Sequence, residues 1–215
     1  MKSILIIGMG RFGVNLAKKL SVLGNEVMVV DEDEENIEEL LPYVTSAQIG
    51  DCTKETVLKS LGVDKFDICF VCMGTNFQNS LEITSLLKEN GAKYVVAKAT
   101  RDIQEKFLLR NGADEVVYPE RDMAENIAIR CSAKNAYDYI GIGDDYAIYE
   151  IPVAKEWVGK SIIELNFRQT YNVNIMSIKS EGKQEFMPPA NRVFQEGEHL
   201  LIIGENSSMT KILKQ

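Results

Sequence analysis

The chain has 215 residues, of which 32 are acidic and 24 basic, a formal net charge of −8, with 45% hydrophobic and 26% charged side chains. That length supports one or two domains with a sizeable core, and the composition is that of an ordinary globular protein. The acidic balance argues against nucleic acid as the main partner, because phosphate neutralisation needs clustered Lys and Arg, and no apolar run approaches the roughly 18 residues that span a bilayer. The opening "MKSILIIGMG" is too short and too soon broken by glycine for a signal peptide, so Cys52, Cys69, Cys72 and Cys131 read as reduced thiols of a cytoplasmic protein.

In chain order, "SILIIG" is a strand, followed by Gly8-Met9-Gly10-Arg11-Phe12-Gly13 and a helix over 11–23. The second strand, "NEVMVVD", ends in Asp31, 18 residues past Gly13. A G-x-G-x-x-G pattern between strand and helix, with an acid closing the next strand, is the arrangement that holds a nucleotide. Gly8 permits the tight turn, Gly10 lets backbone approach phosphate, and Gly13 lets helix and sheet pack closely. Asp31 accepts from a ribose and repels a 2′-phosphate, which disfavours NADP. Glu32 and Asp33 follow it toward the crevice, and the rest of "DEDEENIEE" is the solvated face of a helix over 33–41. Arg11 is electrostatically misplaced at the positive end of a helix dipole unless something negative faces it. A terminal phosphate of ADP or ATP would serve, through a charge-assisted contact worth roughly 1.5–3 kcal/mol. A neighbouring carboxylate is the alternative.

The third strand, "TSAQIGD", delivers Asp51 and Cys52 where adenine edges sit in such folds, although Asp51 equally suits the N-cap of the helix over 53–61. The fourth, "DICFVCMG", places Cys69 and Cys72 three apart and therefore on opposite faces, as core thiols and not as a metal pair. Met73, Gly74 and Thr75 follow it at the switch point, ahead of a helix over 76–90. The fifth, "KYVVAKA", brings Lys98, Ala99 and Thr100; a lysine in an apolar run needs a ligand or an acid. After a helix over 101–111, "EVVYPE" supplies Glu120, which calls for either a divalent cation or a salt bridge to Lys98. Gly62, Gly91 and Gly112 stand where helices should end. Six strands alternating with single helices make a parallel, doubly covered sheet, an α/β Rossmann-type domain over 1–120.

"RDMAENIAIRCSAKNAYDYI" then reads as one long helix with a broad apolar face, a crossover, dimerisation and hinge element over 121–143 that "GIGDDY" breaks. Residues 144–215 form a small α+β lobe: strands at "YAIYEIPV", "NVNIMSI", "KQEFMPP" and "EHLLIIG", a helix around Ser161 to Gln169, and a last helix in "SSMTKILKQ". The single histidine, His199, lies in this far lobe at a strand start, and no Ser/His/Asp or Tyr/Lys arrangement stands near the crevice. A hydride-transferring enzyme needs a proton-transfer residue there. The pattern therefore favours a binding protein over an enzyme, with an NAD(H)-binding redox sensor or small oxidoreductase as the alternative.

Taken together, "IIGMGRFG", "VVDEDEENI", "GDCTKETVLKSLGV", "MGTNFQNS", "VAKA", "GADEVVYPERDMA" and "LNFRQTYNVNIMSIK" resemble the RCK (TrkA-N plus TrkA-C) family over nearly the whole chain and in the same order. The likeness is to the cytosolic regulatory subunits of bacterial potassium-uptake systems. The resemblance implies homodimers assembled into an octameric ring, docked on a membrane potassium-translocating subunit at the inner face of the cell membrane. It implies that ATP and ADP compete for the Rossmann crevice and change the ring's shape, while other members bind NAD(H). Carried over by position, Arg11 approaches the terminal phosphates near a dimer interface, Asp31 holds the ribose, Asp51 and Cys52 meet the adenosine, and Lys98 lines the site. Glu120 falls near the γ-phosphate, where Mg2+ or Ca2+ bridges two subunits. The small lobe resembles the TrkA-C domain, which binds cyclic di-AMP in several Gram-positive relatives; the matching positions are Arg168, Asn174, Ile175 and Pro189. "KSEGKQEFMPPANRV" departs from the commoner pattern by placing Pro188 before Pro189, and Gln104 stands where close relatives carry histidine.

Overall fold

The computed structural model describes residues 1–74, 76–132, 138–142 and 145–212. The chain divides into two compact units, Met1–Glu120 and Arg121–Gln215. Among the described residues no helix is long and apolar enough to cross a membrane.

The first unit alternates β1 (Ser3–Ile7), α1 (Arg11–Val22), β2 (Glu26–Asp31), α2 (Glu34–Glu38), β3 (Ser46–Ile49), α3 (Glu55–Leu61), β4 (Ile68–Val71), α4 (Phe77–Glu89), β5 (Val95–Lys98), α5 (Asp102–Arg110) and β6 (Glu115–Val117). The strands form one parallel sheet in the order β3-β2-β1-β4-β5-β6. The apolar strand runs explain it, since helices cover both faces and every other residue of each strand is buried on one of them. Ile4, Ile6, Val27 and Val29 pack on one face with Ala17 of α1 and Leu40. Leu5, Ile7, Val71, Val95 and Ala97 pack on the other with Ile83 and Leu87 of α4. Cys69 belongs to the second face and Cys72 to the first, as the strand period requires. Gly62, with φ +65°, is the left-handed cap of α3. Gly91 and Gly112, also at positive φ, follow the caps of α4 and α5.

The second unit begins with the greater part of α6 (Pro119–Ser132) and contains β7 (Asp138–Ile142), β8 (Tyr146–Pro152), α7 (Phe167–Tyr171), β9 (Val173–Ser180), β10 (Lys183–Phe186), β11 (His199–Glu205) and α8 (Asn206–Ile212). Its sheet is antiparallel, in the order β10-β9-β11-β8-β7. The core is aromatic: the Trp157 ring meets Phe167 edge-on at 5.0 Å, and its Nε1–H donates to the Tyr171 hydroxyl at 3.0 Å.

Two expectations are corrected here. The long helix after Glu120 is described as far as Ser132, and Asp138–Ile142, expected within or just after it, is a strand, because its backbone pairs with β8 from Asp138↔Glu150 to Ile142↔Tyr146. On that helix Met123 and Ile127 are exposed, while residues 133–137 and 143–144 lie outside the described set. The helix expected from Ser161 is likewise confined to Phe167–Tyr171. Ser161 and Glu164 form a reciprocal cap, with Ser161 N–H donating to Glu164 Oε2 at 2.7 Å and Glu164 N–H to Ser161 Oγ at 3.3 Å. The chain then turns through Asn166 at φ +45° before α7 begins.

Candidate nucleotide-binding site

The strand order reverses direction of growth at β1, whose neighbours are β2 and β4, and a crevice opens outside the carboxyl ends of these strands. Here lies a cleft of about 250 Å3 lined by Gly8, Gly10, Asp31, Glu32, Asp51, Cys52, Met73 and Gly74 from the sequence-predicted set. Thr75 lies outside the described residues. Gly50, Thr53, Asn79 and Ile83 line it too, with Ile7, Val30 and Cys72 at its base. The sequence signals that could have found them are weak: Gly50 precedes Asp51, and Asn79 stands in the first turn of α4 behind the Asn76 cap.

Gly8 and Gly13 take the local conformations expected of them. Gly8 turns at φ +95°, and its N–H donates to Val30 O at 2.9 Å. A Cβ on Gly13 would lie 2.1 Å from the Gly8 carbonyl oxygen, so only hydrogen fits between α1 and the loop. A Cβ on Gly10 would meet nothing within 4 Å, and the same holds for Gly74. Gly10 is the N-cap of α1, which has neither a side-chain cap nor an acid in its first turn. Its first amides therefore lack an intrahelical partner, as at any helix start.

Asp31 anchors the loop as well as facing the cleft. Its Oδ2 accepts from Met9 N–H at 2.5 Å, and its Oδ1 accepts from Asp33 N–H at 2.9 Å and Asn36 Nδ2 at 3.3 Å. Asp33 spends its own carboxylate on the N-cap of α2, accepting from Glu35 N–H at 3.0 Å. Asp51 is not a helix N-cap, a position that Lys54 holds. Its Oδ1 instead accepts from Thr53 N–H at 3.0 Å and Thr53 Oγ1 at 2.6 Å, bonds that lower its pKa below the ordinary value of 3.8. The Cys52 thiol is pushed up to about 12 by burial, aided by the charges of Asp51 and Asp31, so it enters the wall of the cleft as a neutral, apolar group.

The basic residues gather outside this cleft. Lys98, at the end of β5 with 9% of its side chain exposed, donates to Glu120 Oε1 at 2.7 Å and stands 5.6 Å from the Phe12 ring centroid. The salt-bridge alternative is therefore the one formed in a single chain. The Lys98 hydrogen bond, with a smaller contribution from Arg11, holds Glu120 below its ordinary pKa of 4.5. Arg11 itself is exposed and, among the described residues, has no ion-pair partner. Ala99 is fully buried, its N–H donating to Val117 O, and Thr100 donates both N–H and Oγ1 to Gln104 Oε1, at 2.7 and 3.0 Å. Neither lines the cleft. A divalent cation does not fit this chain by itself. Glu120 is a lone carboxylate engaged by Lys98, and no group of three or more candidate donors occurs among the described residues.

In the second unit, Arg168 and Asn174 line a separate cleft of about 250 Å3 with Tyr146, Asn172 and Glu205. Ile175 packs against the core and Pro189 stands on an exposed loop, and neither lines that cleft. His199 opens β11 and its Nδ1 is 2.9 Å from Glu150 Oε1.

Comparison with known proteins agrees with this architecture. Residues 4–119 match the TrkA-N domain and residues 146–215 the TrkA-C domain. The Ktr system potassium uptake protein C of Bacillus subtilis (strain 168) is 38% identical over 215 residues, 100% of this chain and 97% of that protein. The Ktr system potassium uptake protein A of the same organism is 36% identical over 210 residues, covering 98% and 95%. Among solved structures, the GsuK RCK domain superposes with a TM-score of 0.70 at 21% identity, over 99% of this chain and 47% of that one. The GsuK channel bound to NAD gives 0.68 at 22% identity, over 96% and 38%. The chain belongs to the RCK family, in which a TrkA-N domain is joined to a TrkA-C domain.

Proposed function

We propose that this chain is the nucleotide-sensing regulatory subunit of a membrane potassium-transport system, switched by ATP against ADP and itself not an enzyme. The relatives named as potassium uptake proteins match it from end to end, and that supports the transport role. One observation carries the nucleotide reading: Arg11, exposed and without an ion-pair partner among the described residues, stands at the amino end of α1, next to Gly10 of a cleft that Asp31 and Asp51 also line. ATP and ADP bring to that helix end the negative charge it lacks. A ligand shifts a conformational equilibrium only by its differential affinity for the two states, so the switch must lie where the two nucleotides differ, at the terminal phosphate. In this reading the protein works as dimers in an octameric ring, held at the inner membrane face by its channel partner. Any Mg2+ or Ca2+ at Glu120 takes its remaining donors from the nucleotide and a second copy. Cyclic di-AMP is the second ligand of the reading, taken by the small lobe through Arg168 and Asn174.

Calorimetric titration with ATP, ADP and NADH, repeated on Arg11→Ala, tests this. Loss of an arginine–phosphate contact weakens ATP binding by roughly tenfold to a hundredfold and leaves NADH nearly unchanged. NADH binding that is tighter than ATP binding and indifferent to Arg11 would transfer the protein to NAD(H) sensing. Failure to co-purify with a membrane potassium-translocating subunit would remove the transport role.

A further inference from the structure

We propose that Glu205 is a specificity-determining residue of the cleft in the second unit, accepting a hydrogen bond from the exocyclic amino group of a ligand whose phosphate Arg168 holds. The inference rests on the second-ligand reading above and adds what selects the base.

The cleft contains opposite charges that do not meet. Arg168 and Glu205 both line it, yet among the described residues they form no ion pair with each other or with any other side chain. Each is held by its own element. Arg168 stands on α7 next to Phe167, which is buried against the Trp157 ring. That helix ends at Asn172, whose φ of +55° is left-handed and whose Nδ2 donates to Ser208 Oγ at 3.3 Å. Glu205 closes β11 directly opposite Tyr146 of β8. Its Oε1 accepts from the Tyr146 hydroxyl at 3.1 Å, and its Oε2 accepts from Ser207 Oγ at 3.3 Å. Both donors are neutral, so they orient the carboxylate without neutralising it. Each carboxylate oxygen has about two lone-pair sites, which leaves acceptor capacity on both.

A phosphate alone would satisfy Arg168 and be repelled by Glu205. A ligand that is anionic at one end and donates hydrogen bonds at the other satisfies both side chains. Adenine attached to a phosphodiester has that pattern, because its 6-amino group donates and a carboxylate can only accept. Guanidinium and carboxylate thus divide the ligand, one taking the phosphate and the other reading the base.

The test is calorimetric titration of the full chain with cyclic di-AMP and with its analogue carrying purine in place of adenine, which deletes the 6-amino groups and adds nothing. The pair is repeated on Glu205→Gln. In the wild-type chain the purine analogue binds roughly tenfold or more weakly, the worth of a hydrogen bond to a charged group. In Glu205→Gln the acceptor is neutral, and the ratio between the two ligands falls to about threefold or less. Equal binding of the two ligands to the wild-type chain overturns the proposal. So does a variant that weakens both ligands by one common factor, which is the mark of a merely structural role. If Glu205→Gln fails to fold, the wild-type pair still decides. If cyclic di-AMP does not bind the wild-type chain, the second-ligand reading itself falls and takes the proposal with it; binding without discrimination sinks only the proposal.

Discussion

Exchanging single glycines in the loop separates its packing role from its binding role. A Cβ placed on Gly13 would lie 2.1 Å from the Gly8 carbonyl oxygen, 3.2 Å from its carbon and 3.4 Å from Met9 Cε. Real Cβ contacts stay above 3.0 Å, so the first of these must open by about 0.9 Å. The obstacle is backbone, and no rotamer relieves it. Either α1 lifts from β1 or the Gly8 turn deforms, and that turn is held by Gly8 N–H to Val30 O at 2.9 Å and by the Met9 bond to Asp31. Overpacking against a fixed neighbour costs about 3 kcal/mol at the upper end of the usual range. At a few degrees per kcal/mol for domains of this size, Gly13→Ala should lower the melting temperature of the first unit by roughly 6–15 °C. Gly10→Ala is the control. Its φ of −66° and ψ of 179° suit alanine and its Cβ has nothing within 4 Å, so the cost is that of a poorer N-cap, about 1 kcal/mol. The new methyl instead occupies the approach to the helix end, and ATP affinity should fall at least about tenfold. Circular dichroism melts and calorimetry on both variants read the two effects. A Gly13→Ala protein that melts within about 2 °C of wild type would refute the packing argument.

Three further outcomes follow from the same geometry. With Cys52, Cys69 and Cys72 buried and their thiols pushed up to about 12, a thiol reagent at pH 8 should label only the exposed Cys131 quickly, and all four after denaturation; rapid labelling of Cys52 would contradict this. The Lys98 hydrogen bond depresses the Glu120 pKa, so its stabilisation is complete above the ordinary value of 4.5 and disappears as pH falls through the lower folded value. The stability gap between wild type and Glu120→Gln in urea titrations should accordingly be present at pH 6 and close in acid, and a gap that widens there would reverse the assignment. Tyr171→Phe strips the acceptor from the buried Trp157 indole, which should cost about 1–3 kcal/mol. The fluorescence of Trp157, the sole tryptophan, reads that loss from the second unit, and an unshifted transition would show that the bond contributes nothing.

What the sequence disclosed depended on whether the deciding contact was local. The six parallel strands were legible because each is a short apolar run bounded by its own turn signal, and the glycine loop because its three constraints fall within six residues. The sequence leaves Lys98 and Glu120 with two possible partners, because the pairing of β5 with β6 at Lys98↔Val117, with the two charges 2.7 Å apart, is a non-local contact. The strand Asp138–Ile142 was hidden because it follows a helix in sequence, and its strand character is set by pairing with β8 and not by its own periodicity. Ser161 and Glu164 carry the spacing that ordinarily opens a helix, and they do form the reciprocal cap. The helix nonetheless waits until Phe167, because Asn166 takes a left-handed conformation that stops propagation. Asn36 left no mark in the pattern at all: one polar residue in an acidic helix becomes notable only when its Nδ2 is found on Asp31.

In the proposed reading the crevice has an adenosine half and a phosphate half, and the two are built differently. The adenosine half is assembled in advance: Asp31 and Asp51 are each held by fixed N–H donors, Cys52 is buried and neutral, and the glycine turn is locked by backbone bonds. The phosphate half is exposed and electrostatically incomplete, with Lys98 neutralised by Glu120 while Arg11 has no ion-pair partner among the described residues. On that reading ATP and ADP would present the same adenosine to the first half, which would then distinguish neither. Discrimination on that reading would come from the second half, where one more phosphate would face Arg11 and compete with Glu120 for Lys98. A ligand that draws Lys98 away would also free a carboxylate that the single chain otherwise keeps occupied.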